Sequence, residues 1–149
     1  MSEMKHWEGS VSMNYNAKML TAYKQTSIKT ASQGTLILML YDEGIKKIEA
    51  TIKLLDVEKL PPSSIEKINS NIIKAQEIIT ELMASLNTEK GGQIANNLMA
   101  IYSYFYQQLL QANIKKDLAI LKDILNMMKD LRSAWQDVIN SEETQSKKA

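Results

Sequence analysis

Residues 63–86, SSIEKINSNIIKAQEIITELMASL, decide the fold. Their apolar positions step by three and four residues, which keeps them on one face of an α-helix and is incompatible with a strand. This spacing is typical of a helix packed nearly antiparallel to its neighbours. Ser63 and Glu66 follow two prolines and predict a capping box where the helix begins. The apolar positions are Ile65, Ile68, Ile72, Ala75, Ile79, Leu82 and Leu86.

Three further segments repeat this helical spacing. The segment before it opens with six apolar residues, 36–41, which alone would fit a buried strand, but the period that follows favours a helix. Gly91 and Gly92 mark the start of the next helix, and Asp117 is the predicted N-cap of the last. The three stripes are Ile37, Tyr41, Ile45, Ile48, Ile52 and Leu55; Ile94, Leu98, Ile101, Phe105 and Leu109; and Leu121, Ile124, Met128, Leu131, Trp135 and Val138.

Four long amphipathic segments with short connections predict an all-α protein, an antiparallel up-down-up-down four-helix bundle. A short N-terminal helix is expected around Tyr15–Tyr23, too short to be stable alone in water. At 149 residues the chain fits one domain. We expect the helical domain over residues 13–140, with a disordered extension over 1–12 and a disordered tail over 141–149.

The inventory of side chains argues against catalysis and against nucleic acid binding. The chain has no cysteine, one histidine, His6, and one arginine, Arg132, which argues against nucleophiles, bases and metal sites built on cysteine or histidine. No enzyme activity, metal or cofactor is predicted. A near-neutral charge with one arginine does not provide the basic patch that phosphates require. No secretory signal is evident at the N-terminus, so the cytoplasm is the expected compartment.

Residues 91–114 contain no charged side chain. The segment is long enough to cross a membrane, but its seven glutamine and asparagine side chains argue against insertion. The side away from its apolar stripe carries Met99, Tyr102, Tyr106 and Leu110, a composition typical of protein interfaces. For Met99 and Tyr102, binding to a partner and burial within the bundle remain equally supported.

Short stretches spread from Tyr15 to Val138 also match one known family in order. They include AYKQT (22–26), TAS (30–32) with Gly34, LMLYD (38–42), KAQ (74–76), SLN (85–87), GG (91–92) and LRSAW (131–135). On these residues the chain resembles the flagellar secretion chaperones that bind flagellin. It departs from the family pattern at Gln33 and Thr35, where proline and glutamate are usual, and at Glu43-Gly44, where glycine usually follows the aspartate directly.

The resemblance implies a bundle whose short N-terminal helix acts as a movable cap over an apolar groove. The disordered C-terminal region of flagellin would bind there in an extended, partly helical form. Binding would prevent premature polymerisation and present the subunit to the export gate. The residues expected to bind the partner are Tyr15, Met19, Leu20, Tyr23, Leu38, Tyr41, Met99, Tyr102, Tyr106 and Leu110, of which Tyr41 is included on the resemblance alone.

A second hypothesis needs no flagellin. The same apolar face of residues 91–114 would also suit a homodimer, as in a structural or oligomerisation module. A helical holder of an export substrate and a self-associating module therefore both remain open at this level.

Overall fold

A computed structural model describes the backbone of residues 31–87 and 89–148 and the side chains of residues 34–87, 89–142 and 144. In this part of the chain there are four α-helices and no strand. The helices are α1 (Ala31–Leu55), α2 (Ile65–Ala84), α3 (Gly92–Lys115) and α4 (Leu118–Lys148). The predicted all-α class is therefore confirmed. The extension over residues 1–12 and the short helix expected around Tyr15–Tyr23 lie outside the described residues.

The four helices form a closed bundle. Helix α1 packs against α2 and α4, and α3 packs against the same two helices, so α1 and α3 occupy opposite corners. Asp42 of α1 lies level with Arg132 of α4, whereas Glu49 lies level with Lys129. Moving forward along α1 therefore means moving backward along α4. This register supports the predicted antiparallel order of neighbouring helices.

The apolar stripes predicted from the sequence form the core. Nearly all their members in the described helices are less than one tenth exposed, and the exceptions lie close to helix ends: Ile52, Leu55, Ile65 and Leu86 are partly buried. Burial of side chains of this size is the main favourable term in folding. The six apolar residues at 36–41 are helical, as the period predicted.

At Gly44, helix α1 comes close to its neighbours. A Cβ atom there would lie 3.0 Å from Met128 Cε and 3.3 Å from Ile78 Cγ2, closer than ordinary van der Waals contact. The glycine that the family pattern has directly after the aspartate is here one residue later. That position faces α2 and α4, which makes the displaced glycine fit the packing of this bundle.

The predicted start of α2 is wrong in detail. Residues Pro62–Ser64 form a single 3₁₀ turn, so the α-helix begins at Ile65 with Ser64 as its N-cap. Neither the turn nor the helix has a side-chain cap hydrogen bond at its N-cap, and the capping box of Ser63 with Glu66 does not form. Glu66 still lies in the first turn, where its negative charge interacts favourably with the positive end of the helix dipole.

The predicted N-cap of α4 is confirmed. Asp117 Oδ1 accepts the backbone N–H groups of Ala119 at 3.0 Å and Ile120 at 3.3 Å. These are two of the amides that a helix start leaves without a partner in the helix.

At its other end α4 continues to Lys148, beyond Ser141, where we expected a disordered tail. Extending a formed helix costs little, because each added residue gains one hydrogen bond.

A tight connection joins α3 to α4. Lys116 adopts a left-handed backbone conformation with φ of 52°, which is uncommon for a residue with a side chain. Its N–H donates to Ala112 O, and its ammonium donates to Asn69 Oδ1, Asn113 O and Asn113 Oδ1 at 2.6–2.7 Å. These bonds offset the backbone cost and tie the end of α3 to α2.

Candidate protein-binding surface

The line of contact between α2 and α3, called here the α2–α3 seam, is the candidate functional site. Two hydrogen bonds show which residues of α2 and α3 lie at the same height along the bundle. Gln76 Nε2 donates to Tyr106 O at 3.3 Å, and Lys116 Nζ donates to Asn69 Oδ1 at 2.7 Å. Residue numbers rise along α2 as they fall along α3. Ile73, three residues before Gln76, is therefore level with Leu110, four residues after Tyr106.

The outer side of this seam exposes large apolar side chains. Tyr106, Leu110 and Ile114 follow one another at intervals of four residues and so form a continuous ridge on α3. Ile73 lies beside this ridge on α2. Their exposed fractions are 49% for Ile73, 36% for Tyr106, 39% for Leu110 and 68% for Ile114. We call these four residues the seam patch. Apolar ridges of this kind are what an amphipathic helix of a partner packs against.

The opposite seam, between α1 and α4, has a different chemistry. Arg132 donates to both carboxylate oxygens of Asp42, and Lys129 lies 3.4 Å from Glu49. Exposed ion pairs of this kind contribute little to stability, but they keep the surface hydrated. Arg132 therefore serves as an ion-pair partner that joins α4 to α1. An apolar partner segment thus has a better surface at the α2–α3 seam than at the α1–α4 seam.

The residues predicted to bind a partner fall into three groups. Tyr106 and Leu110 belong to the seam patch, and Met99 on the same helix is partly buried. Leu38, Tyr41 and Tyr102 lie in the core, with exposed fractions of 9%, 0% and 1%. Tyr15, Met19, Leu20 and Tyr23 lie outside the described residues. The structure thus brings Tyr106 and Leu110 together on one surface and separates them from Tyr41 and Tyr102.

Tyr102 does not lie on the outer side of α3, where we placed it. Of the two interpretations left open for this residue, the structure supports burial within the bundle. Tyr102 follows Leu98 by four residues and precedes Phe105 by three, and that spacing is itself a signal of the core face. Ile73 and Ile114 were missed, although an isoleucine on the polar side of an otherwise regular stripe is a recognisable sign of a surface for a partner.

Beneath the seam, two tyrosines share a buried hydrogen bond. The hydroxyl oxygens of Tyr41 and Tyr102 are 2.6 Å apart, and their ring centroids are 6.4 Å apart with a tilted arrangement. Burial raises the pKa of Tyr102 to about 12, while hydrogen bonds from Tyr41 and Trp135 act in the opposite direction. The phenol of Tyr102 therefore remains neutral at physiological pH and can act as a hydrogen-bond partner.

The pKa of Tyr102 predicts a loss of stability at alkaline pH. Because the pKa is raised from 10.0 to about 12, the stabilising contribution is fully present below pH 10 and is lost as pH rises toward 12. The full loss is about 2 to 3 kcal/mol. We expect the difference in unfolding free energy between wild type and Tyr102→Phe, measured in urea, to be constant below pH 10. Above pH 10 it should shift in favour of the variant, and a difference unchanged up to pH 11.5 would contradict the assignment.

The described residues of the seam offer packing and hydrogen bonding. Within these residues no set of three or more histidine, aspartate and glutamate side chains is arranged to hold a metal ion. None of the described helices combines the length and hydropathy needed to cross a membrane. The polar groups along the seam are amides, Asn69, Gln76 and Asn113, which can pair with the backbone of another chain.

Comparison with known proteins agrees with this chemistry. The family model described as flagellar protein FliS matches residues 15–142. The flagellar secretion chaperone FliS of Bacillus subtilis is 39% identical over 122 residues, which cover 82% of this chain and 86% of that protein. The protein of the same name from Salmonella typhimurium is 32% identical over 83% of this chain and 92% of its own length. That from Campylobacter jejuni is 32% identical over 81% of this chain and 91% of its own.

The matched region contains all four helices up to Glu142, including the whole α2–α3 seam. The proteins it resembles are named as chaperones and not as enzymes. The identities, the share of each chain that is matched and the family model lead to one conclusion. This chain belongs to the flagellar protein FliS family.

Proposed function

We propose that this protein is a cytoplasmic export chaperone that binds the disordered C-terminal segment of flagellin. Binding would prevent premature polymerisation and keep the subunit in a form that the flagellar export apparatus accepts. The observation that carries the proposal is the seam patch, three of whose four residues lie on a helix with no charged residue from Gly92 to Ile114. A soluble helix with no partner normally carries charges on its outer face, so this surface favours an apolar binding partner.

Roles differ among the proposed binding residues. Tyr106 and Leu110 contact the bound segment directly, and Ile73 and Ile114 extend the same surface. Met99 lies near the edge of the contact. Leu38, Tyr41 and Tyr102 support the site from within the core, because side chains with less than one tenth of their surface exposed have little area for a partner. Tyr15, Met19, Leu20 and Tyr23, which lie outside the described residues, remain proposed partner-binding residues.

The seam patch and the amides beside it also indicate which kind of segment binds. The seam patch requires an amphipathic helix with apolar residues at intervals of three and four, while the neighbouring amides suit a stretch of extended backbone. A segment of flagellin that is unfolded when free would gain both forms on binding. Its ordering costs free energy, which limits the affinity but allows release at the export apparatus.

Titration calorimetry with a flagellin C-terminal peptide tests the proposal. We expect binding at micromolar concentrations with a negative heat-capacity change across a temperature series, because folding on binding removes apolar surface from water. A peptide of the same composition in scrambled order is the control and should not bind. Absence of heat for the native peptide at these concentrations would contradict the proposal.

Light scattering of the protein alone separates the proposal from self-association. A homodimer that persists on dilution and does not bind the flagellin peptide would indicate that the seam patch serves a second copy of the chain. A monomer that forms a one-to-one complex with the peptide supports the chaperone function. Together, the two measurements show whether flagellin or a second copy of this chain binds to the seam patch.

A further inference from the structure

The Tyr41–Tyr102 hydrogen bond joins two helices that are not neighbours. Helices α1 and α3 lie at opposite corners of the bundle, each packed against α2 and α4. Side chains from opposite corners meet only if they are long enough to reach the centre. The two tyrosines do so, and their hydroxyl oxygens are 2.6 Å apart.

Both tyrosines belong to the buried apolar core. Tyr41 and Tyr102 are 0% and 1% exposed, and the ring of Tyr102 lies next to Phe105. Polar tips from two helices therefore meet inside the core. A buried hydroxyl that loses its partner is strongly disfavoured, so this arrangement is sensitive to any change in the position of α3.

Apolar stripes alone do not determine such a position. A helix whose stripe steps by three and four residues can move along its axis by one turn and still bury apolar side chains. Methionine and leucine adapt to the new neighbours with little loss. In some coiled coils a single buried polar residue selects one register among several of similar packing.

We propose that the hydroxyl pair of Tyr41 and Tyr102 determines the register and rotation of α3 within the bundle. In the correct register the two hydroxyl groups meet. A shift of α3 by one turn separates them by about 5 Å and leaves both in apolar surroundings. The same register keeps Tyr106, four residues after Tyr102, on the outer side of the seam. The pair thus positions the binding surface without contacting the partner, and this holds whether or not flagellin is that partner.

A double-mutant cycle in the free protein tests the proposal. The variants are Tyr41→Phe, Tyr102→Phe and the double variant, which preserve ring packing and remove only hydroxyl groups. We expect each single change to lower the folding equilibrium constant about tenfold, whereas the double change restores much of that loss. Denaturation in urea gives these constants. Effects of the single changes that simply add in the double variant would overturn the proposal.

The second readout is specific to register. Amide spectra of the double variant should show doubled or broadened signals in α3 and faster hydrogen exchange there, because more than one position of α3 becomes populated. Tyr104→Phe is the matched control: it lies on the same helix, and its hydroxyl accepts only a long 3.4 Å bond from Gln108 among the described contacts. It should leave both stability and spectra close to wild type. A double variant with one sharp set of α3 signals and wild-type exchange would also overturn the proposal.

Discussion

Alanine at Tyr106 and at Leu110 is expected to weaken binding of the flagellin C-terminal peptide, about 30-fold for Tyr106 and about tenfold for Leu110. Tyrosine at the centre of an interface often contributes about 2 kcal/mol or more, and a buried leucine somewhat less. Both side chains are more than one third exposed in the free chain, so removing them takes away contact area without opening the core. Titration calorimetry at one temperature measures the change.

A matched control separates this effect from general loss of apolar surface. Val57 is 48% exposed but lies in the connection after α1 and belongs to neither α2 nor α3. Val57→Ala should bind the peptide with wild-type affinity. If Val57→Ala weakens binding as much as Tyr106→Ala, the contact is nonspecific and the seam patch is not the site. If Tyr106→Ala binds like wild type, flagellin uses another surface of the bundle.

Leu98→Ala is expected to destabilise the fold by about 2 to 5 kcal/mol, a large share of the total for a domain of this size. Leu98 is 0% exposed and belongs to the buried stripe of α3, so its removal leaves a cavity among residues of all four helices. Leu110→Ala on the same helix removes the same group from a position that is 39% exposed. It should change the unfolding free energy by less than about 1 kcal/mol.

The pair of leucines therefore gives opposite results in two assays. Leu98→Ala should lower the urea midpoint and leave the affinity of the remaining folded protein near wild type, while Leu110→Ala should do the reverse. Urea denaturation followed by circular dichroism and calorimetry on the same preparations provides the comparison. Equal destabilisation by both changes would mean that α3 has no distinct inner and outer sides, in conflict with the exposed fractions on which the binding surface rests.

Much of the fold is predictable because the apolar residues of each segment recur with the period of an α-helix. The apolar stripe from Ile65 to Leu82 and that from Leu121 to Val138 identify both the helices and their inner faces. The N-cap role of Asp117 was also predictable, because an aspartate just before a helix commonly accepts hydrogen bonds from the first backbone N–H groups. The absence of cysteine and the single histidine and arginine are properties of composition, and they argued against an enzyme without any knowledge of the fold.

The start of α2 was not predictable to the residue. The sequence motif of Ser63 and Glu66 is compatible with a capping box, but the two prolines allow a 3₁₀ turn to form first. The two alternatives differ by little in local free energy, and helix ends generally shift by one or two residues for this reason. The packing of Ile68 and Ile72 against the core then fixes where the helix begins.

The sequence by itself determined four helices, the face that each buries and the kind of function that the composition permits. The tertiary structure decided which residues beside the stripe of α3 are inside and which are outside: Tyr102 is buried, whereas Tyr106 is exposed. It also decided that Tyr41 meets Tyr102 and that Asp42 pairs with Arg132, contacts that span 61 and 90 positions of the chain. The physical reason is that the helical period gives only the direction in which a side chain points around the axis of its own helix. Burial depends in addition on the level and distance of the neighbouring helices, which only the assembled bundle provides.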